Sequence, residues 1–150
     1  MGKLKLINAL QCPLTGQWFF ITCHLYEYHY MKEEKTWTEA QQYCREKHTD
    51  LATVSNMTDM KRLLSNSAGD MREAWIGLHD PPGVNRTWYW SLAGEEFNES
   101  ETHWKEGEPS DEGNGVAENC GRLTKIPKWE DTRCQNIFYF LCFDGSTWHL

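Results

Sequence analysis

The chain has 150 residues and a formal net charge of −7, with eight Trp, six Tyr, six Phe and six Cys. That length fits one domain with a buried core. The acidic balance argues against a nucleic-acid partner, whose binding runs on Lys and Arg contacts to phosphate. No run of about 18 apolar residues is present to span a membrane as a helix.

Residues 1–25 admit two readings. Met1–Lys5 carries two lysines and Leu4–Leu10 is mostly apolar, after which Gln11, Pro13, Gly16 and Gln17 interrupt the run. This is either a signal-peptide remnant or a hairpin closed by Cys12 and Cys23. The body of the domain is expected over 26–145, with 146–150 as a tail.

Tyr26–Tyr30 alternates aromatic and polar residues, as a half-buried strand does. Thr36-Trp37-Thr38-Glu39 has the form of a capping box that opens a helix. Trp37, Ala40 and Cys44 share one face of that helix, so it packs inward, and His48-Thr49-Asp50 ends it. Leu51–Val54 reads as a short strand. Asn56 caps a second helix with Met60, Leu63 and Leu64 inward, stopped by 65–69. Ala74–Leu78 reads as a buried strand, Asp80-Pro81-Pro82-Gly83 as a turn, and Trp88–Trp90 as a short aromatic strand. Residues 91–119 form an irregular stretch of about 29 residues, a length more often functional than idle. Cys120–Leu123, Lys128–Trp129 and Phe138–Phe143 read as short closing strands. The order of elements gives an α+β class.

The even cysteine count (12, 23, 44, 120, 134, 142) in a small chain suggests disulfides and an oxidising compartment. Sequons at Asn56, Asn85 and Asn98 fit a secretory route and mark candidate glycosylation sites. Cys44 and His48 share a helical face, but an oxidised Cys44 is no zinc ligand. Nothing resembles a nucleophile–base pair, a phosphate loop or a nucleotide fingerprint, which argues against an enzyme.

The stretch from Glu106 to Asp131 reads EGEPSDEGNGVAENCGRLTKIPKWED, with seven carboxylates against three basic residues. Pro109 and four glycines break it into loop. Crowded carboxylates repel one another unless a cation joins them. Ca²⁺ accepts roughly six to eight oxygens from such groups in flexible geometry. The plainer alternative is a solvated acidic loop.

The residues resemble the C-type lectin domain family over roughly 28–143. The matching segments are Lys35–Cys44, Asp50-Leu51-Ala52, Trp75-Ile76-Gly77-Leu78, Trp88-Tyr89-Trp90, Trp104 with Gly107-Glu108-Pro109, Glu118-Asn119-Cys120, Trp129-Glu130-Asp131, Cys134 and Phe140-Leu141-Cys142. The resemblance implies a disulfide-stapled α+β fold in which two helices flank short antiparallel sheets, with a long irregular ligand-binding loop. It implies pairings Cys44–Cys142 and Cys120–Cys134. In the chain-entropy account these contribute roughly 4–5 and about 3 kcal/mol. A Cys12–Cys23 pair would match the extra hairpin of long-form members.

In sugar-binding members a Glu-Pro-Asn triplet, a later Glu and a Trp-Asn-Asp triplet surround one Ca²⁺, and vicinal sugar hydroxyls complete its shell. Carried over by motif, the metal and carbohydrate site is Glu108, Ser110, Glu118, Glu130 and Asp131. Ser110 and Glu130 stand where the pattern has Asn. Ser110 reaches less far, and Glu130 cannot donate a hydrogen bond to sugar. An auxiliary Ca²⁺ site would draw on Asp80, Asp111, Glu118 and Asn119. Val84 replaces a carboxylate there, so that site is expected to be weak or absent. Trp75, Trp88, Trp90, Trp104 and Trp129 are expected to pack the core and loops. The implied function is an extracellular Ca²⁺-dependent lectin for cell-surface or microbial glycans. Its rival is a domain of the same fold that binds a protein ligand without calcium.

Overall fold

The structure, a computed structural model, describes residues 4–7, 22–54, 57, 60–61, 71–83, 86–110 and 115–149, except the side chains of 4–7, 22–26 and 146–149. In chain order the elements are β1 (Leu4–Ile7), β2 (Thr22–Lys35), α1 (Trp37–Lys47), β3 (Asp50–Leu51), β4 (Ala74–His79), β5 (Tyr89–Trp90), a 3-10 turn (Glu99–Glu101), β6 (Cys120–Leu123), β7 (Trp129–Thr132) and β8 (Phe138–His149). The sheet order is β1-β2-β8-β4-β6-β7, with β3 on β8 and β5 on β4. β4 runs parallel to β8, and the other pairings are antiparallel.

α1 begins where the capping box puts it. Thr36 Oγ1 accepts from the Glu39 amide at 3.4 Å, and Glu39 Oε2 accepts from the Thr36 amide at 2.9 Å. These contacts satisfy two of the donors that a helix start leaves open. Trp37, Ala40 and Cys44 are its buried residues.

The sheet is buried on both sides, and its strands divide their side chains between two apolar clusters. Successive residues of a strand face opposite ways. Trp75, Phe140 and Cys142 join Trp37, Ala40, Cys44 and Leu51 in one cluster. Ala74, Ile76, Leu78, Leu141 and Phe143 join Tyr28, Tyr30, Trp88, Trp90 and Trp129 in the other. Two indole N–H groups lock the layers together: Trp37 donates to the Ile76 carbonyl at 2.9 Å and Trp75 to the Lys35 carbonyl at 2.8 Å. Cys44–Cys142 and Cys120–Cys134 are both bonded. The expected Cys12–Cys23 pair lies outside the described residues.

Several expectations are corrected. Tyr26–Tyr30 is not half-buried along its length, because Tyr28, His29 and Tyr30 are all buried; His29 is covered by the end of α1. The strand expected over Leu51–Val54 is Asp50–Leu51, and Ala52 and Val54 are buried without strand pairing. β7 and β8 run further than expected, to Thr132 and His149. Of the second helix, Met57, Met60 and Lys61 have helical backbone and Met60 is buried. Asn56, Leu63 and Leu64 lie outside the described residues.

The irregular stretch after β5 is strapped to the sheet. Trp104 forms an isolated bridge with Trp129. The Trp129 amide donates to the His103 carbonyl and the Lys105 amide to the Trp129 carbonyl, each at 2.8 Å. The five tryptophans at 75, 88, 90, 104 and 129 pack core and loop, as expected.

Gly121 of β6 passes over Leu78 so closely that a Cβ there would lie 2.7 Å from Leu78 Cβ. Gly121→Ala is therefore expected to destabilise the domain by about 1–3 kcal/mol, read by urea unfolding. A loss within about 0.5 kcal/mol, typical of a neutral surface change, would contradict this packing.

Candidate functional site

Three of the five expected ligands come together. Gly107 takes a left-handed backbone (φ +87°), and the Glu108–Pro109 peptide that follows is cis. Ser110 Oγ donates to Glu108 Oε2 at 3.1 Å. The Ser110 amide donates to Asp131 Oδ1, also at 3.1 Å. Asp131 arrives from β7, whose start is fixed by the Trp129 contacts to His103 and Lys105, and the Glu108 amide closes the turn by donating to the Lys105 carbonyl at 3.0 Å. Loop and strand therefore share one set of backbone bonds, which holds the Glu108 side of the site against the Asp131 side.

The two carboxyls titrate against each other. Burial pushes Glu108 up to about 7, and its hydrogen bond to Asp131 and the negative charges of Asp131 and Glu130 push the same way. Burial also pushes Asp131 up. Hydrogen bonds from Glu108, the Ser110 amide and Arg86 more than offset it and hold Asp131 below its usual range. Below about pH 7 the pair thus holds one proton on the Glu108 side, as two close carboxylates do.

Sequence reasoning missed Arg86. Its guanidinium donates to Asp131 Oδ2 and to the Glu118 carbonyl at 3.2 Å. Its Nε lies 3.9 Å from Asp80 Oδ2, and the group sits over the Trp88 ring at 5.2 Å. A cation from the chain itself therefore joins the acidic groups. In the sequence Arg86 is the middle of the Asn85 sequon. The one available signal was a basic residue placed between Asp80 and Trp88 in an acidic protein.

The other expected ligands are placed differently. The Glu118 backbone carbonyl accepts from Arg86. The Glu130 carboxylate pairs with Arg122 at 3.2 Å and Lys105 at 3.8 Å; it and Asp131 are neighbours on a strand, so their side chains leave opposite faces. Of the auxiliary set, Asp80 accepts from the Thr87 amide at 3.1 Å, and its own amide donates to the Asn119 carbonyl at 2.8 Å. Asp111 and Val84 lie outside the described residues, as do Asn56 and Asn85. Asn98 is exposed, and its Oδ1 accepts from the Ser100 amide at the start of the 3-10 turn.

The donor set suits a hard cation. Two carboxyls, a hydroxyl and a carbonyl offer only oxygen, and Glu108 keeps a proton that a closer positive charge would displace. The competing feature is Arg86, already bound to Asp131.

A sequence profile described as the Lectin C-type domain matches residues 33–143. Human lithostathine-1-beta is 31% identical over 121 residues, 78% of this chain and 70% of that one. Mouse C-type lectin domain family 4 member K is 34% identical over 119 residues, 77% of this chain but 34% of that longer protein. The crystal structure of human lithostathine superimposes with a TM-score of 0.67 at 31% identity, covering 81% of this chain and 84% of that one. The chain belongs to the C-type lectin domain family, with the α+β fold of its solved relatives.

The titration has a stability consequence. Between the ordinary carboxyl value of 4.5 and about 7, the folded protein keeps a Glu108 proton that the unfolded chain has released. Stability from this group is thus greatest below 4.5 and falls as pH rises to about 7. Asp131 acts in the opposite sense, and its contribution disappears as pH falls below its usual range. Glu108→Gln, which keeps a hydrogen-bonding side chain without the titration, is expected to flatten the slope between pH 4.5 and 7. Thermal unfolding in chelator across that range reads it; an unchanged slope refutes the assignment.

Proposed function

We propose that this domain is an extracellular, Ca²⁺-dependent glycan-binding module rather than an enzyme, and that the Glu108–Ser110–Asp131 site is where it binds. The observation that carries this reading is the meeting of Glu108 and Asp131 around Ser110. Family membership and a relative named as a C-type lectin support it. The two bonded disulfides suit an oxidising extracellular setting. No helix among the described residues is long and apolar enough to cross a membrane.

Glu108, Ser110 and Asp131 would hold the ion, with Glu118 beside them, and a bound Ca²⁺ supplies coordination positions for vicinal sugar hydroxyls. The residues have their own tasks. The Ser110 hydroxyl is positioned to accept from or donate to a sugar, and Asp131 and Glu108 accept hydroxyl protons. Glu130, a ligand by motif, pairs with Arg122 and Lys105, and in this reading it shapes the rim. Arg86 is the ion's competitor, because both neutralise Asp131. The glycan itself, cell-surface or microbial, is set by groups around the rim.

Arg86 also favours a second reading. A chain that already supplies the cation at Asp131 has a neutralised acidic site and can present the surface to a protein ligand without calcium.

Calorimetry with CaCl₂ and a glycan array in Ca²⁺ or chelator separate the two. The first reading expects Ca²⁺ uptake at millimolar concentration or below, and glycan retention only with the ion. Affinity for Ca²⁺ should weaken as pH falls below about 7, since Glu108 must release its proton. Arg86→Ala should tighten Ca²⁺ binding by about 10-fold or more, the scale of coupling between close charges, while lowering stability in chelator. If neither form takes up Ca²⁺ and no glycan is retained, the first reading is wrong. Partner binding that survives Glu108→Ala would then support the second.

A further inference from the structure

Among the described residues, one group of His, Cys, Asp and Glu side chains brings its ligand atoms within 4.8 Å of one another: His29, His48 and Asp144. It shares no residue with the Glu108–Asp131 site. His29 Nε2 lies 2.9 Å and His48 Nδ1 3.1 Å from the same Asp144 oxygen, Oδ2. The two rings stack with centroids 4.3 Å apart. The imidazoles are 10% and 9% exposed, and the carboxylate 43%. The cluster is thus a pair of buried nitrogens behind an accessible oxygen.

We propose that His29, His48 and Asp144 form a Zn²⁺ site that fastens the end of α1 to β2 and β8. Imidazole and carboxylate suit this metal, and thiolate is not required. A tetrahedral Zn²⁺ with ligands at about 2.0–2.2 Å needs ligand atoms about 3.3 Å apart. The observed 2.9 and 3.1 Å have to open by only a few tenths of an ångström. Glu27 lies across the ladder from Asp144, with Oε1 3.6 Å from His29 Nε2. It or a water completes the shell, and the exposed flank of Asp144 gives the ion its entry.

The fold holds these atoms in place before any ion arrives. His48 is the C-cap of α1, and its amide donates to the Cys44 carbonyl at 2.7 Å. Cys44 is bonded to Cys142. Cys142 faces His29 in the β2–β8 register and precedes Asp144 by two residues on the same strand face. One covalent bond therefore sets all three donors, and such preorganisation is what a metal site requires.

The tautomers are compatible. Without metal, both rings donate to Asp144, so the His29 proton sits on Nε2 and Nδ1 is buried with no hydrogen-bond partner. With metal on Nε2 the proton moves to Nδ1, and no existing bond at Nδ1 is broken. That atom has no outer acceptor, which lowers metal affinity by about 10–100-fold relative to a supported histidine. The dissociation constant is therefore expected in the micromolar range.

The test uses the whole chain, washed with chelator and then dialysed free of it, at pH 7.5 without Ca²⁺. ZnCl₂ is titrated by calorimetry, with MgCl₂ as control. One equivalent of Zn²⁺ is expected at micromolar affinity. At a hundredfold excess over the dissociation constant the melting temperature should rise by about 5–10 °C, and Mg²⁺ should not raise it. Asp144→Asn and His48→Gln should each weaken Zn²⁺ at least 10-fold, while Glu108→Gln leaves it unchanged. Long-range ¹⁵N–¹H spectra of the unmutated protein should show His29 Nε2 and His48 Nδ1 shifting on Zn²⁺ addition, so the result does not depend on how the variants fold. No uptake, uptake of unchanged affinity in folded variants, or unshifted ring nitrogens would each overturn the site.

Discussion

The bond between Cys44 and Cys142 joins residues 98 apart in sequence, and it does so at the strand against which the rest of the sheet is arranged. β8 pairs with β2, β3 and β4, and its inward residues supply both apolar clusters. Fixing the only long helix among the described residues to that strand settles which face of the sheet α1 covers. It also settles where Trp37 reaches β4 and where the helix end meets Asp144. The hydrophobic pattern of α1 says that one face goes inward, and the bridge decides which residues it meets.

The second organising element is the charge on Asp131. It is almost fully buried, and a buried carboxylate persists only when paired and hydrogen-bonded. The chain provides a backbone amide from Ser110, a shared proton with Glu108 and a guanidinium from Arg86. A charge-assisted contact of that kind stabilises the loop without external help. It also means that any cation entering the site competes with a residue already there. With Glu130 directed to Arg122, the acidic site is smaller and its own arginine weighs more.

Local rules carried much of the fold. The capping box at Thr36 and Glu39, the inward face of α1, the β6 boundaries and the buried strand at 74–78 all follow from patterns within a few residues, and the structure has them. What local pattern could not supply was two-sided burial. His29 reads as the polar member of an alternating strand, yet it is covered because α1, fixed by a distant cysteine, ends above it. Likewise the segment after Leu51 is buried by tertiary contact without pairing as a strand. In the site, Glu108, Ser110 and Asp131 were legible because a motif brings them together. Arg86 was not, since its partners Asp131 and Glu118 lie 45 and 32 positions away, and no spacing rule connects them.

The parallel pairing of Ala74 with Tyr139 and Trp75 with Phe140 has a consequence for biosynthesis. β4 lies at the heart of the sheet, but one of its flanks stays open until the ribosome has passed Phe140. Non-local pairing of this kind is slow to form, and exposed apolar strands invite association with other chains in the interval. From the midpoint of these 150 residues until Phe140 is made, a nascent chain carries Trp75, Ile76 and Leu78 without the cover of β8. Cells making this domain in quantity therefore have reason to shield that half-built sheet with a chaperone.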